Sequence, residues 1–115
     1  MRSRYTPNTM SKTIRDIKAK INLLSSEDGG RATAAKNGYR PQFFYDQEHW
    51  DAAIELIDKK EIYPGDSAEV YFQFTKPKIH VNRLQVGKKF QLKEGSLTVA
   101  EGEVTEILDL KKRGV

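Results

Sequence analysis

The chain contains no cysteine, so it can form no disulfide and offers no thiolate to a metal. Its two histidines, His49 and His80, are far apart in sequence. Zinc ordinarily takes four ligands drawn mainly from Cys and His, so no metal is expected. His80 lies among lysines and reads as a surface residue. No apolar run approaches the roughly 20 residues that span a bilayer as a helix. Met1 to Met10 lacks the apolar segment of a secretory signal. A cytoplasmic protein without a membrane partner is the expectation. The one Gly-Lys pair, Gly87-Lys88, is followed by Lys89 rather than Ser or Thr, and no glycine precedes it at the spacing of a phosphate loop. The backbone cradle and the magnesium-binding hydroxyl are therefore both missing, which excludes GTP and leaves no cofactor. No Gly-x-Ser-x-Gly motif occurs. Glu101, Glu103 and Asp109 read as an outward strand face rather than an acid–base pair. No catalytic residue stands out, and the chain is not expected to be an enzyme.

What is present is charge, unevenly placed. At 115 residues and 37% apolar, the chain suits one domain with one small core. Lys and Arg number 20 against 16 acids, and the excess sits at the front: residues 1–20 hold six bases and one acid. Residues 1–14 lack periodicity and read as a flexible basic arm. The body, expected over 15–110, is nearly neutral, and 111–115 reads as a short basic tail. Within the body the signs are blocked. Lys76, Lys78, Arg83, Lys88, Lys89 and Lys93 run without an acid, whereas Asp46 to Glu69 is mostly acidic. A cationic face or a set of solvated strand faces fits this pattern equally well.

Alternation at period two gives the architecture. Ile17, Ala19, Ile21 and Leu23 alternate, as do Val70, Phe72 and Phe74. Gly38 to Tyr45 is aromatic and suits a strand, with Pro41 confined to an edge, a bulge or a strand start. Ala52 to Ile57 fits a strand or a short helix locally. Tyr63-Pro64-Gly65-Asp66 is a turn, because proline presets φ at its first central position and glycine accepts positive φ at the second. Ile79 to Leu84 reads as a loosely paired strand, and Lys88 to Lys93 as another. Ser96 to Leu110 is a long β-rich run in which Gly102 suggests a bulge or a bend. Six or seven short strands with turns between them imply an all-β sandwich or barrel. In such a barrel Phe43, Phe44, Tyr45, Phe72 and Phe74 read as core rather than as a stacking platform. Trp50, among Asp46, Glu48 and Asp51, suits either a cap on its own barrel or an anchor for a protein partner.

Several of these segments resemble one family. Asp28-Gly29-Gly30-Arg31, then Gly38-Tyr39-Arg40-Pro41-Gln42-Phe43, Ile54-Glu55-Leu56, Pro64-Gly65-Asp66 and Phe90 to Val104 are similar, in order and spacing, to the third (C-terminal) domain of translation elongation factor Tu. The resemblance covers roughly residues 15 to 109. It implies a six-stranded Greek-key β-barrel, here as a stand-alone domain without the GTPase domain. In the full factor this domain contacts the T-stem of aminoacyl-tRNA, the GTPase domain and the nucleotide-exchange factor.

That resemblance implies two sets of site residues. Arg31, Gln42, Glu94 and Gly95 match positions that touch tRNA in the family, and Lys93 keeps a positive charge there. With Lys88 and Lys89 from the basic block, these are the candidates for an RNA-binding module. Asp51 and Asp46 replace a Thr and an Arg of the family, and Ser96-Leu97 replaces a Gly-Arg. New acids near phosphate repel it. A protein-interaction module linked to translation is therefore favoured over RNA, with Arg40, Gln42, Trp50 and Asp51 as candidates for the partner contact. A small enzyme is the third and weakest reading.

Overall fold

The computed structural model describes residues 13–115 apart from Ser26, Asp28 and Ala32. Residues 1–12 of the expected arm, and Asp28 of the first motif, lie outside the described residues. The described chain runs β1 (Ile17–Leu23), β2 (Ala35–Lys36), β3 (Gln42–Tyr45), β4 (Glu48–Leu56), β5 (Glu61–Ile62), β6 (Ser67–Phe74), helical turn α1 (Pro77–His80), β7 (Lys89–Glu94), β8 (Leu97–Ile107) and helical turn α2 (Leu110–Arg113). Six strands close an antiparallel barrel in the order β1-β6-β4-β3-β7-β8, and β2 pairs with β5 as a separate ribbon. Strands β3, β4 and β6 are neighbours in turn and β7 then returns beside β3, which is the Greek-key arrangement. Closure removes the free sheet edges that would otherwise template aggregation. Among the described residues no helix is long and apolar enough to cross a membrane.

The alternating residues form the core as their period requires. Ile17, Ala19, Ile21 and Leu23 of β1 and Val70, Phe72 and Phe74 of β6 are all buried. Phe43 is the centre of an aromatic cluster. Its ring stacks on Phe90 at 4.2 Å and meets Phe72 and Phe74 edge-on at 5.1 and 4.9 Å. Such edge-on pairs add to the area term because a positive ring edge meets a negative face. Phe44, one residue on, points the other way and lies half-exposed on the outer wall. Ala52 to Leu56 is strand, because each residue pairs with β6. The Tyr63–Asp66 turn closes with Asp66 N–H donating to Tyr63 O at 2.9 Å, and Gly65 takes φ +93°.

Four expectations are corrected. Gly102 marks no bulge: it pairs regularly with Ile21 and Phe90, and a methyl there would lie 2.3 Å from the Phe90 ring. Its absent side chain makes room for an aromatic of the core. The register of β8 slips elsewhere, opposite Lys18/Ala19 and Leu92/Lys93. Ile79 to Leu84 is no strand, since Pro77 starts a helical turn in which Leu84 N–H donates to His80 O. His80 is not at the surface but fully buried. Finally, the last residues do not trail the barrel. Arg113 reaches Asp16 Oδ2 at 2.6 Å, and Gly114 packs against Val81. Asp16 is itself fully buried and also accepts from Phe74 N–H at 2.8 Å, so α2 is fastened to the start of β1.

Candidate functional site

The outer wall made by β4, β3, β7 and β8 gathers most of the candidates. Asp51 pairs with Gln42, Gln42 with Lys93, and Lys93 with Thr98. Residues paired across antiparallel strands share a face, so these four side chains form one row. Gln42 Nε2 donates to Asp51 Oδ1 at 3.1 Å. The Lys93 ammonium lies 4.5 Å above the ring of Phe44, which explains why that aromatic tolerates the outer face. Lys93 makes no ion pair among the described residues.

Next to this row, at the β7–β8 hairpin, Arg31 is held by a dense set of contacts. Its guanidinium meets Glu94 at 2.6 Å, donates to Thr33 O at 2.7 Å and stacks 4.4 Å over the ring of Tyr39. The Tyr39 hydroxyl donates to the same Glu94 carboxylate. Burial pushes the Tyr39 hydroxyl up to about 12, with the Glu94 hydrogen bond adding to the shift. It therefore stays a donor at physiological pH. Gly95 forms the hairpin turn with φ +61°. Arg31, Gln42, Lys93, Glu94 and Gly95 are thus neighbours, but the Arg31 charge is already met within the chain.

Lys88 and Lys89 are not part of that group. They sit at the start of β7, at the other end of the strand. Lys88 contacts Asp46 at 2.8 Å, and its hydrogen bond holds the Asp46 carboxyl below the usual carboxylate range. Arg83 contacts Glu48 at 2.9 Å and Asp46 at 3.6 Å. Lys89 borders a shallow hollow of about 630 Å³ whose other walls include Lys20, Phe44, Gln91, Glu101 and Glu103. Bases that are contiguous in sequence are therefore divided in space and interleaved with acids.

The partner candidates lie on the opposite flank of the row, against the turn after β6. Arg40 donates to Thr75 Oγ1 at 3.1 Å, and Thr75 N–H donates to Asp51 O at 3.2 Å. Trp50 is half-buried and meets His80 edge-on at 5.2 Å, with the Arg83 guanidinium 5.7 Å from its ring. A cleft of about 180 Å³ opens here between Gln42, His49, Trp50, Asp51, Thr75, Lys76 and His80.

His80 is the residue that sequence reasoning missed. Its ring lies between Phe74, 4.3 Å away, and Trp50, and its Nδ1 shares a 2.6 Å hydrogen bond with the Tyr45 hydroxyl. Burial, helped by the Arg83 charge, depresses its pKa to about 4, so the imidazole is neutral at physiological pH. His80 Nε2 and Trp50 Nε1 are both buried without a hydrogen-bond partner among the described residues. The sequence signal that could have found His80 is the Pro77 helix start, which turns the segment inward.

Residues 10–108 of the chain match the family model described as the elongation factor Tu C-terminal domain. The match and the closed barrel agree with the resemblance carried by the Gly38–Phe43 hexapeptide.

Proposed function

Because the chain belongs to the elongation factor Tu C-terminal domain family, we propose that it is a non-catalytic protein-interaction module linked to translation, using the outer face of β3 and β4. The observation that carries this reading is the state of its charges. Nucleic-acid affinity is supplied chiefly by cations free to replace the counterions of phosphate. Arg31, Arg83 and Lys88 each already have a carboxylate within hydrogen-bond distance, at 2.6, 2.9 and 2.8 Å. The acids Asp46, Glu48 and Asp51 stand on the β3–β4 hairpin itself. Such a surface, mixed in sign with Phe44 half-exposed on it and the inward-facing Trp50 half-buried at its edge, has the composition of a protein contact, in which aromatic anchors lie inside a polar rim.

Affinity capture from lysate of the source cells tests this, with wild-type chain and Phe44→Glu as baits. The expected outcome is one stoichiometric protein retained by wild type and lost with the variant. Recovery of nucleic acid alone would sink the reading. One feature favours RNA instead: Lys93, which makes no ion pair among the described residues, stands beside Arg31, Gln42, Glu94 and Gly95. That alternative requires salt-dependent binding of tRNA, weakened by Lys88→Glu and Lys93→Glu. Folded protein that leaves tRNA unshifted at low salt removes it.

A further inference from the structure

The cleft between β3, β4 and the Thr75–His80 turn has donors in excess. Among the described residues the indole N–H of Trp50 has no acceptor, and His80 Nε2 has no partner. A buried polar group without a partner carries a desolvation cost that a ligand can relieve. Thr75 Oγ1 accepts from Arg40, which leaves its hydroxyl proton free to donate. Lys76 lines the cleft and makes no ion pair among the described residues. Opposing these is one carboxylate in the lining, Asp51, which already accepts from Gln42.

We propose that this cleft receives a single carboxylate from an acidic segment of a protein partner. The charges decide the class. Lys76 lines the cleft, Arg40 is hydrogen-bonded to its Thr75, Asp51 is the one carboxylate in the lining and His80 is neutral, so these groups leave an excess of one positive charge. One carboxylate cancels it. A run of phosphates would bring several negative charges against Asp51, the carboxylate of the lining, which repels them. The volume of about 180 Å³ is also that of a pocket for one small group rather than for a nucleobase with its sugar. The inference rests on the protein-interaction reading above and specifies the chemistry that the partner presents.

Because Trp50 is the one tryptophan, its indole N–H gives a single, unmistakable NMR signal. The experiment titrates the ¹⁵N-labelled chain with a peptide of alternating glutamate and leucine, with the same peptide carrying glutamine for glutamate, and with an RNA hairpin. The expected result is a saturable downfield shift of the Trp50 indole proton with the glutamate peptide only. Thr75→Val and Lys76→Glu, both at exposed positions, are expected to weaken that binding about tenfold while the remaining spectrum stays that of the folded barrel. An indole signal that stays still, an equal response to the glutamine peptide, a stronger response to RNA, or unchanged affinity in both variants overturns the proposal. If Phe44→Glu still releases a captured protein while the indole is silent, the cleft assignment alone fails. If neither responds, the protein-interaction reading fails with it.

Discussion

The two ends of the barrel hold their polar groups in opposite ways. At the end where β1 begins, Asp16 and His80 are fully buried beneath α1 and α2, and each depends on a very few partners. At the end where β1 finishes, Arg31, Tyr39 and Glu94 form a rim that water reaches, and each has several partners. Buried polar groups are costly when a partner is removed, whereas rim groups are re-solvated. Losses at the first end should therefore weigh heavily on stability, and losses at the second should weigh little. The largest test of this contrast is Arg113→Ala against Arg31→Ala. Removing Arg113 leaves the Asp16 carboxylate with only the Phe74 N–H, and is expected to cost about 2–3 kcal/mol, set below the full buried-pair value because Arg113 is partly exposed. Removing Arg31 should cost about 1 kcal/mol. Urea denaturation of both variants reads the difference, and equal losses would break the comparison.

Acid sharpens the same contrast. His80 titrates near 6.5 when unfolded and near 4 in the fold. Between those values the unfolded chain binds more protons, so stability rises with pH across the window. The His80 contribution is fully present above pH 6.5 and is lost as pH falls through 4. The expected loss over that window is about 2 kcal/mol, allowing for relaxation around the ring. His80→Phe should flatten the slope of stability against pH over that interval, whatever it does to stability at neutral pH. An unchanged slope would place the proton elsewhere.

Much of this barrel is legible in the sequence because its strands alternate. Ile17 to Leu23 and Val70 to Phe74 bury one face and expose the other, and that period needs no tertiary information. The family's hexapeptide supplied the topology that alternation alone leaves open. What stayed hidden are features created only by closure. His80 looks solvated among lysines, yet Pro77 turns it under Trp50 and beside Tyr45, a residue 35 positions away. Asp16 looks like one more surface acid until Arg113 arrives from the far end of the chain. Gly102 reads as a bulge locally, and only the Phe90 ring explains it. In the candidate site, the row Asp51–Gln42–Lys93 follows from register, but the internal pairing of Arg31 and Lys88 is a matter of three-dimensional neighbours.

The smallest expected effect concerns the hairpin that joins β3 to β4 at the capped end. Asp46 and Gln47 both adopt positive φ, +49° and +66°, which is the backbone of a two-residue hairpin turn matching the right-handed twist of its strands. Asp accepts this conformation better than most residues, and Gln accepts it poorly, because its Cβ crowds the following carbonyl. The turn is held in place by Asp46, which bonds Lys88 and faces Arg83. The strain at Gln47 is therefore carried by neighbours rather than relieved. Gln47→Gly should stabilise the barrel by about 1 kcal/mol, visible as a higher urea midpoint with an unchanged slope. Since Gln47 makes none of the contacts proposed for a partner, capture by the β3–β4 face should be unaffected. A stabilised variant that lost its partner would show that the strained turn, not the cleft beside it, belongs to the recognition surface.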